Sequence, residues 1–216
     1  MNFTIIFFGW IFSLCLHEFS HAFVAYHGGD TTVREKGYLT FNPLRYTHPF
    51  LSLILPVIIL LLGGIGLPGG AVYIETWRIR NRYWLSGMSL AGPTANWIFA
   101  LVLALLLRVL PDSTSFVWPG ISFLLILQIW VILFNLIPLP PLDGYHVIEP
   151  FLHPSIRVQM DRIRGFAIWI LIFALWYIPA ISNFFWTVIY FIASILGVDW
   201  NLAMQGQNYL LSFFGR

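Results

Sequence analysis

The sequence predicts an all-α polytopic membrane protein. It has about five transmembrane helices, three of them forming a core, with a re-entrant segment and a small β-hairpin region. Three observations carry this reading. Of 216 residues, 59% are hydrophobic and only 9% charged, whereas about a quarter of a soluble protein is charged. Apolar runs of hydrocarbon length recur along the chain, and a bilayer core of about 30 Å needs roughly 20 apolar residues per helix. The Lys and Arg residues fall in the polar joints between these runs, where the positive-inside rule reads them. The mean hydropathy of +0.81 fits, and the length leaves room for little beyond the spans.

The first span covers residues 3–26, and Gly28-Gly29-Asp30 ends it with a helix stop and turn. Residues 31–48 are polar and mixed. Within them 33–41 has strand character broken at Gly37, and Asn42-Pro43 signals a turn, so a short hairpin or loop is expected. Residues 49–66 are apolar, but carry Pro56 centrally and Gly63, Gly64 and Gly66 at the end. They read as a short span or as a segment that enters and returns on one side, tolerated where protein or water covers the backbone. A Pro68-Gly69-Gly70 turn and the β-formers that follow read as a strand, and Arg78, Arg80 and Arg82 mark a membrane surface. Residues 84–107 are a clear span, in which Ala91, Gly92 and Ala95 allow close helix approach. Residues 119–137 are another, ended by Pro138, Pro140 and Pro141. Residues 145–165 are polar. Residues 166–181 and 184–197 form a closing helical pair, bent between 179 and 183, and the partly apolar tail 198–216 suits the interface.

The basic residues choose between the two readings of 49–66. With 49–66 re-entrant, every one of the 11 Lys and Arg except Arg108 lies on one side. A full crossing leaves only a weak bias. Five spans, an outside N-terminus and a cytoplasmic C-terminus are therefore expected. The net charge of +2 carries no nucleic-acid signal, and no nucleic-acid partner is expected. The single Cys15 excludes an internal disulfide and a Cys-based metal cluster. The N-terminus lacks a basic n-region, so a cleaved signal peptide is not expected.

The chemistry centres on His17-Glu18-Phe19-Ser20-His21, an H-E-x-x-H motif inside the first span. Residues four apart share a helix face, so both imidazoles can reach one ion, with Glu18 beside them to act on water. A carboxylate at mid-span costs about 2.5–3.5 kcal/mol on insertion scales, and a metal accounts for its presence. Two buried histidines bonded to backbone are the alternative. A catalytic zinc usually takes three protein ligands. The best third candidate is Asp143, after a broken helix end and before Gly144, with His146 and His153 as alternatives. His17 and His21 lie toward the C-terminal half of their span and Asp143 just past the end of 119–137. For all three to share an ion, those two helices must run parallel, which the re-entrant reading of 49–66 also requires. The metal then lies nearer the cytoplasmic face.

H-E-x-x-H in a first core helix, followed by Asn135-x-x-Pro138-x-Pro140-Pro141-Leu142-Asp143-Gly144 in a later one, resembles the site-2 protease family of intramembrane zinc metalloproteases. Gly29-Asp30, Leu39-Thr40-Phe41-Asn42-Pro43, Gly69-Gly70-Ala71-Val72 and Leu90-Ala91-Gly92-Pro93-Thr94-Ala95-Asn96 extend the resemblance over about residues 10–150. It implies one Zn2+ per chain on His17, His21 and Asp143, with Glu18 as the catalytic acid/base. It also implies roles for Asn135 and Asn96 in polarising the scissile carbonyl. Residues 1–150 would then be a membrane-embedded metalloprotease core built on the three-helix catalytic unit. Residues 151–216 would be a C-terminal helical pair and tail, in a minimal member without a PDZ domain.

The expected activity is hydrolysis of peptide bonds within or near transmembrane segments of protein substrates, in the lipid bilayer of a prokaryotic cell membrane. Gly69, Gly70, Ala71 and Val72 lead a strand that can pair with an extended substrate by β-augmentation or serve as an ordinary hairpin edge. The competing classes are a membrane metal transporter or channel and an inactive protease-like scaffold that binds substrates without cutting. Few other ionisable groups in the spans and no visible inverted repeat weigh against transport. The sequence does not indicate an oligomeric state.

Overall fold

The computed structural model describes residues 1–45, 72–109 and 116–212. The first helix, α1 (Asn2–Gly28), has 27 residues, about 40 Å at 1.5 Å per residue. In hydrocarbon its own backbone bonds are the only ones on offer, so a continuous apolar helix is the stable form. Gly29 stops it at φ 126°, and the Asp30 N–H donates back to the Ala25 carbonyl at 3.0 Å. A short helix α2 (Thr32–Glu35) follows, then a 3-10 turn at Pro43–Arg45. Of the hairpin or loop expected over 31–48, the described residues to 45 show a loop that holds α2 and the 3-10 turn, with no strand. The reason is local: the Asp30 carboxylate accepts from the N–H and hydroxyl of Thr32 at the first turn of α2, and β propensity in a short polar stretch gives way to such side-chain bonds.

Residues 72–75 carry no regular secondary structure and run into a 3-10 turn at Thr76–Arg78. The strand expected there is not formed, and no strand occurs among the described residues. The 49–66 segment, with Gly69, Gly70 and Ala71, lies outside the described residues. Helix α3 (Arg82–Val109) starts at Asn81, whose side-chain oxygen accepts from the N–H groups of Tyr83 and Trp84 at 3.0 and 3.1 Å. Pro93 sits inside it, and the close packing around this turn holds the helix together across the missing N–H.

Helix α4 (Trp118–Asn135) opens with Pro119 and is buried along nearly its whole length. It is the hub. Leu125, Leu127, Ile129, Ile132 and Phe134 are almost fully covered. Ser13 of α1 donates to Gln128 at 2.5 Å, in the dry interior between the two helices. The chain then reverses into α5 (Asp143–Ile148). Gly144 makes the reversal possible, since a Cβ there would overlap the Leu136 carbonyl and lie 2.7 Å from that of Ile137.

The polar stretch expected over 145–165 is largely helical. After α5 and a 3-10 turn at Glu149–Phe151, α6 (Pro154–Tyr177) begins early, with His153 as its cap. It breaks into α7 (Pro179–Ile195) with an 88° bend. Ile189 and Ala193 of α7 join the core around α4. The tail forms α8 (Trp200–Ser212), which docks on the core with Leu210 beside Ile6, Trp10, Phe123, Leu127 and Val131.

Among the described residues, α1, α3 and α4 are long and apolar enough to cross a membrane. The bent α6–α7 pair raises the number to four if it counts as one span, so the five expected are not reached. The directions do agree with expectation. Asn2 accepts from the Gly120 N–H at 3.1 Å, and Ser13 meets Gln128, so α1 and α4 run parallel. The Arg80 N–H reaches the Gly28 carbonyl at 2.9 Å, so α3 starts where α1 ends and runs against it. Arg108 lies at the other end of α3 and donates to the Ile195 carbonyl.

Candidate metal centre

The three helices bring His17, His21 and Asp143 to one point. His17 and His21 are successive turns of one face of α1, both buried. Asp143 is delivered by the Gly144 reversal at the end of α4, which points its carboxylate back at α1. His17 Nε2 lies 3.0 Å from His21 Nε2 and 3.1 Å from Asp143 Oδ2, and His21 Nε2 lies 3.4 Å from Asp143 Oδ1. Among the described residues they form a group able to hold a metal ion.

The chemistry of the donor set fits zinc. His21 Nδ1 lies 2.7 Å from the Met88 carbonyl of α3. A carbonyl only accepts, so Nδ1 carries the proton and Nε2 presents its lone pair to the centre. Asp143 Oδ2 is buried without a hydrogen-bond partner, although an imidazole nitrogen stands within 3.1 Å. Acceptors crowded together in a dry site repel unless a cation lies between them. Two ligand atoms at 2.0–2.1 Å from a tetrahedral zinc are roughly 3.3 Å apart, and the observed 3.0–3.4 Å separations match.

The third wall comes from α3. Gly92 faces the imidazoles so closely that a Cβ would lie 2.6 Å from His17 Nε2 and overlap His21 Nε2. The sequence shows Gly92 only as one of several small residues in a span. The signal for its role is the spacing that sets it one turn from Met88, and that spacing gains meaning only once α3 is paired with α1.

The centre opens into a cavity of about 520 Å³, lined by Glu18, Asn96 and Asn135 along with the three metal-binding candidates. Glu18 is buried and lines the cavity together with Val72. The Asn96 side-chain oxygen is buried with no hydrogen-bond partner among the described residues. Asn135, the last residue of α4, also lines the cavity. Val72, with Tyr73 and Ile74, lines one side. His146 also reaches the cavity, but its Nδ1 pairs with Glu149 at 2.7 Å. His153 is exposed and bonds Ser155 at the start of α6. Neither joins the metal group, and of the three candidates for third ligand only Asp143 does.

No family model and no solved structure matches the chain. Named relatives do. The chain is 43% identical over 206 residues to the Mycobacterium tuberculosis protein named "Putative zinc metalloprotease Rip2", covering 95% of this chain and 79% of that one. It is 44% identical over 205 residues to the protein of the same name from Mycolicibacterium smegmatis, covering 94% and 78%. It is 32% identical over 177 residues to Bacillus subtilis "Putative zinc metalloprotease YwhC", covering 76% and 77%.

Proposed function

Because the chain belongs to the site-2 protease family of zinc metalloproteases, we propose that it hydrolyses peptide bonds within or near transmembrane segments of membrane-protein substrates. The observation that carries this reading is the meeting of the His17, His21 and Asp143 donors beside buried Glu18, on helices apolar enough to span a membrane.

When bound, one zinc per chain supplies Lewis acidity that makes water a nucleophile near neutral pH. Glu18 takes the proton from the attacking water and returns it to the leaving amine. The Asn135 amide donates to the carbonyl oxygen as charge develops there, and Asn96 orients the peptide from α3. A helical substrate hides its scissile carbonyl and must unwind to reach Glu18. Gly69, Gly70, Ala71 and Val72 lead the segment along which an unwound chain lies. The basic residues support a cytoplasmic-side site.

Purified protein in liposomes, with a single-span substrate, tests this. Cleavage requires stoichiometric zinc and stops with chelator. Glu18→Gln retains zinc and loses at least a hundredfold in rate, the low end of the range for acid–base catalysis of about 10²–10⁴. Zinc flux across the liposome without cleavage would favour a transporter, and substrate binding without cleavage a scaffold.

A further inference from the structure

Asp30 is a fully buried carboxylate that the proposed chemistry does not use. Both its oxygens are committed. Oδ1 accepts from the N–H and hydroxyl of Thr32 at 3.0 and 2.6 Å. Oδ2 accepts from the backbone N–H of Glu75 at 2.7 Å. The first two bonds are local, to the first residue of α2. The third reaches across to the segment before α3, and other ties surround it. The Arg80 N–H donates to the Gly28 carbonyl at 2.9 Å. Gly29 passes so close to Arg78 that a Cβ would lie 2.6 Å from the Arg78 carbonyl oxygen. Lys36 donates to Glu75 Oε1 at 3.1 Å and to the Tyr73 carbonyl at 3.3 Å.

The segment held this way is the cavity wall beside Glu18, where Val72, Tyr73 and Ile74 face the site. Helix α1 thus carries Glu18, and the residue that fixes this wall follows two positions after its end at Gly28. A carboxyl group can accept on both oxygens at once, whereas an amide replaces one acceptor with a donor.

We propose that Asp30 is a positioning residue. It sets the register of residues 72–75 against Glu18 and so selects which peptide bond of an unwound substrate is cut. This rests on the protease reading above and on the substrate lying along that segment.

Two substitutions break the Asp30–Glu75 bond from opposite ends. Asp30→Asn keeps an acceptor for Thr32 but turns an amide N–H toward Glu75. Glu75→Pro removes the donor at a residue whose φ of −84° lies close to the proline range. Glu75→Ala keeps the N–H and controls for loss of the side chain. Zinc-loaded proteins in liposomes are compared with one single-span substrate, mapping product termini by mass spectrometry and measuring KM and kcat. Wild type and Glu75→Ala cut one bond. Asp30→Asn and Glu75→Pro keep their zinc, raise KM about tenfold, equivalent to about 1.4 kcal/mol, and spread cleavage over neighbouring bonds. A merely structural tie would lower yield without moving the cut. If Asp30→Asn does not fold, Glu75→Pro decides alone. Cleavage by the folded variants at the wild-type bond with wild-type KM overturns the proposal. A wild type that cuts no substrate overturns the protease reading first, and this one with it.

Discussion

A glycine decides whether two imidazoles can share an ion. Gly92 lies against both His17 and His21, with no room for a methyl group. Gly87, in the same helix, has nothing within 4 Å of its would-be Cβ. The pair makes a controlled comparison. Gly92→Ala displaces the ligands and weakens zinc binding by about 10–100-fold, the range seen when groups supporting metal ligands are altered. Gly87→Ala leaves affinity unchanged and adds roughly 0.4–1 kcal/mol of stability through the unfolded chain. Zinc titration against a competing chelator reads both. His17, Glu18 and His21 are legible in the sequence because ionisable groups in an apolar helix demand a purpose, and Asp143 because it follows a broken helix end. Gly92 is not, because small residues also serve ordinary helix packing. His146 and His153 stand in polar sequence, where a histidine is as readily a surface group as a ligand. Folding separated them by pairing His146 with Glu149 and leaving His153 to cap α6.

At the level of the element, the stretch between α1 and α3 was hardest to read. Strand character over 33–41 and after Gly70 suggested pairing, but strands need partners, and the described residues supply none. What organises the stretch is one buried carboxylate and a small ion network, which have no periodicity to detect. Glu75 is part of that network. Its hydrogen bond from Arg78, and then that from Lys36, hold its carboxyl below the ordinary value of 4.5. A depressed carboxyl stabilises the folded arrangement above its unfolded pKa, and the effect is lost as pH falls through the folded value. Amide exchange over residues 72–78, corrected for intrinsic rate, should therefore accelerate as pH drops below 4.5. Glu75→Gln should show the faster exchange throughout. Equal curves for the two proteins would remove the network's role. The long spans were the readable elements, since length and apolarity alone specify them in lipid. The 88° break after Tyr177 was visible as Pro179, though not its angle.

On the scale of the whole molecule, the parallel run of α1 and α4 followed from requiring one ion to bind residues on both, and the structure has it. The metal should therefore act as a fastener between helices. A ligand at a thousandfold excess over its Kd stabilises the folded form by about 4.1 kcal/mol. Chelator should lower Tm by several degrees in detergent, and Asp143→Ala should start low and ignore added zinc. The same Tm with and without zinc would mean the three ligands do not join α1 to α4. The reversal at Gly144 has one more consequence, for biosynthesis. The histidines leave the ribosome early, whereas their carboxylate partner emerges only after α3 and α4. A nascent chain therefore holds two donors and no complete centre until α4 has inserted and the chain has turned back.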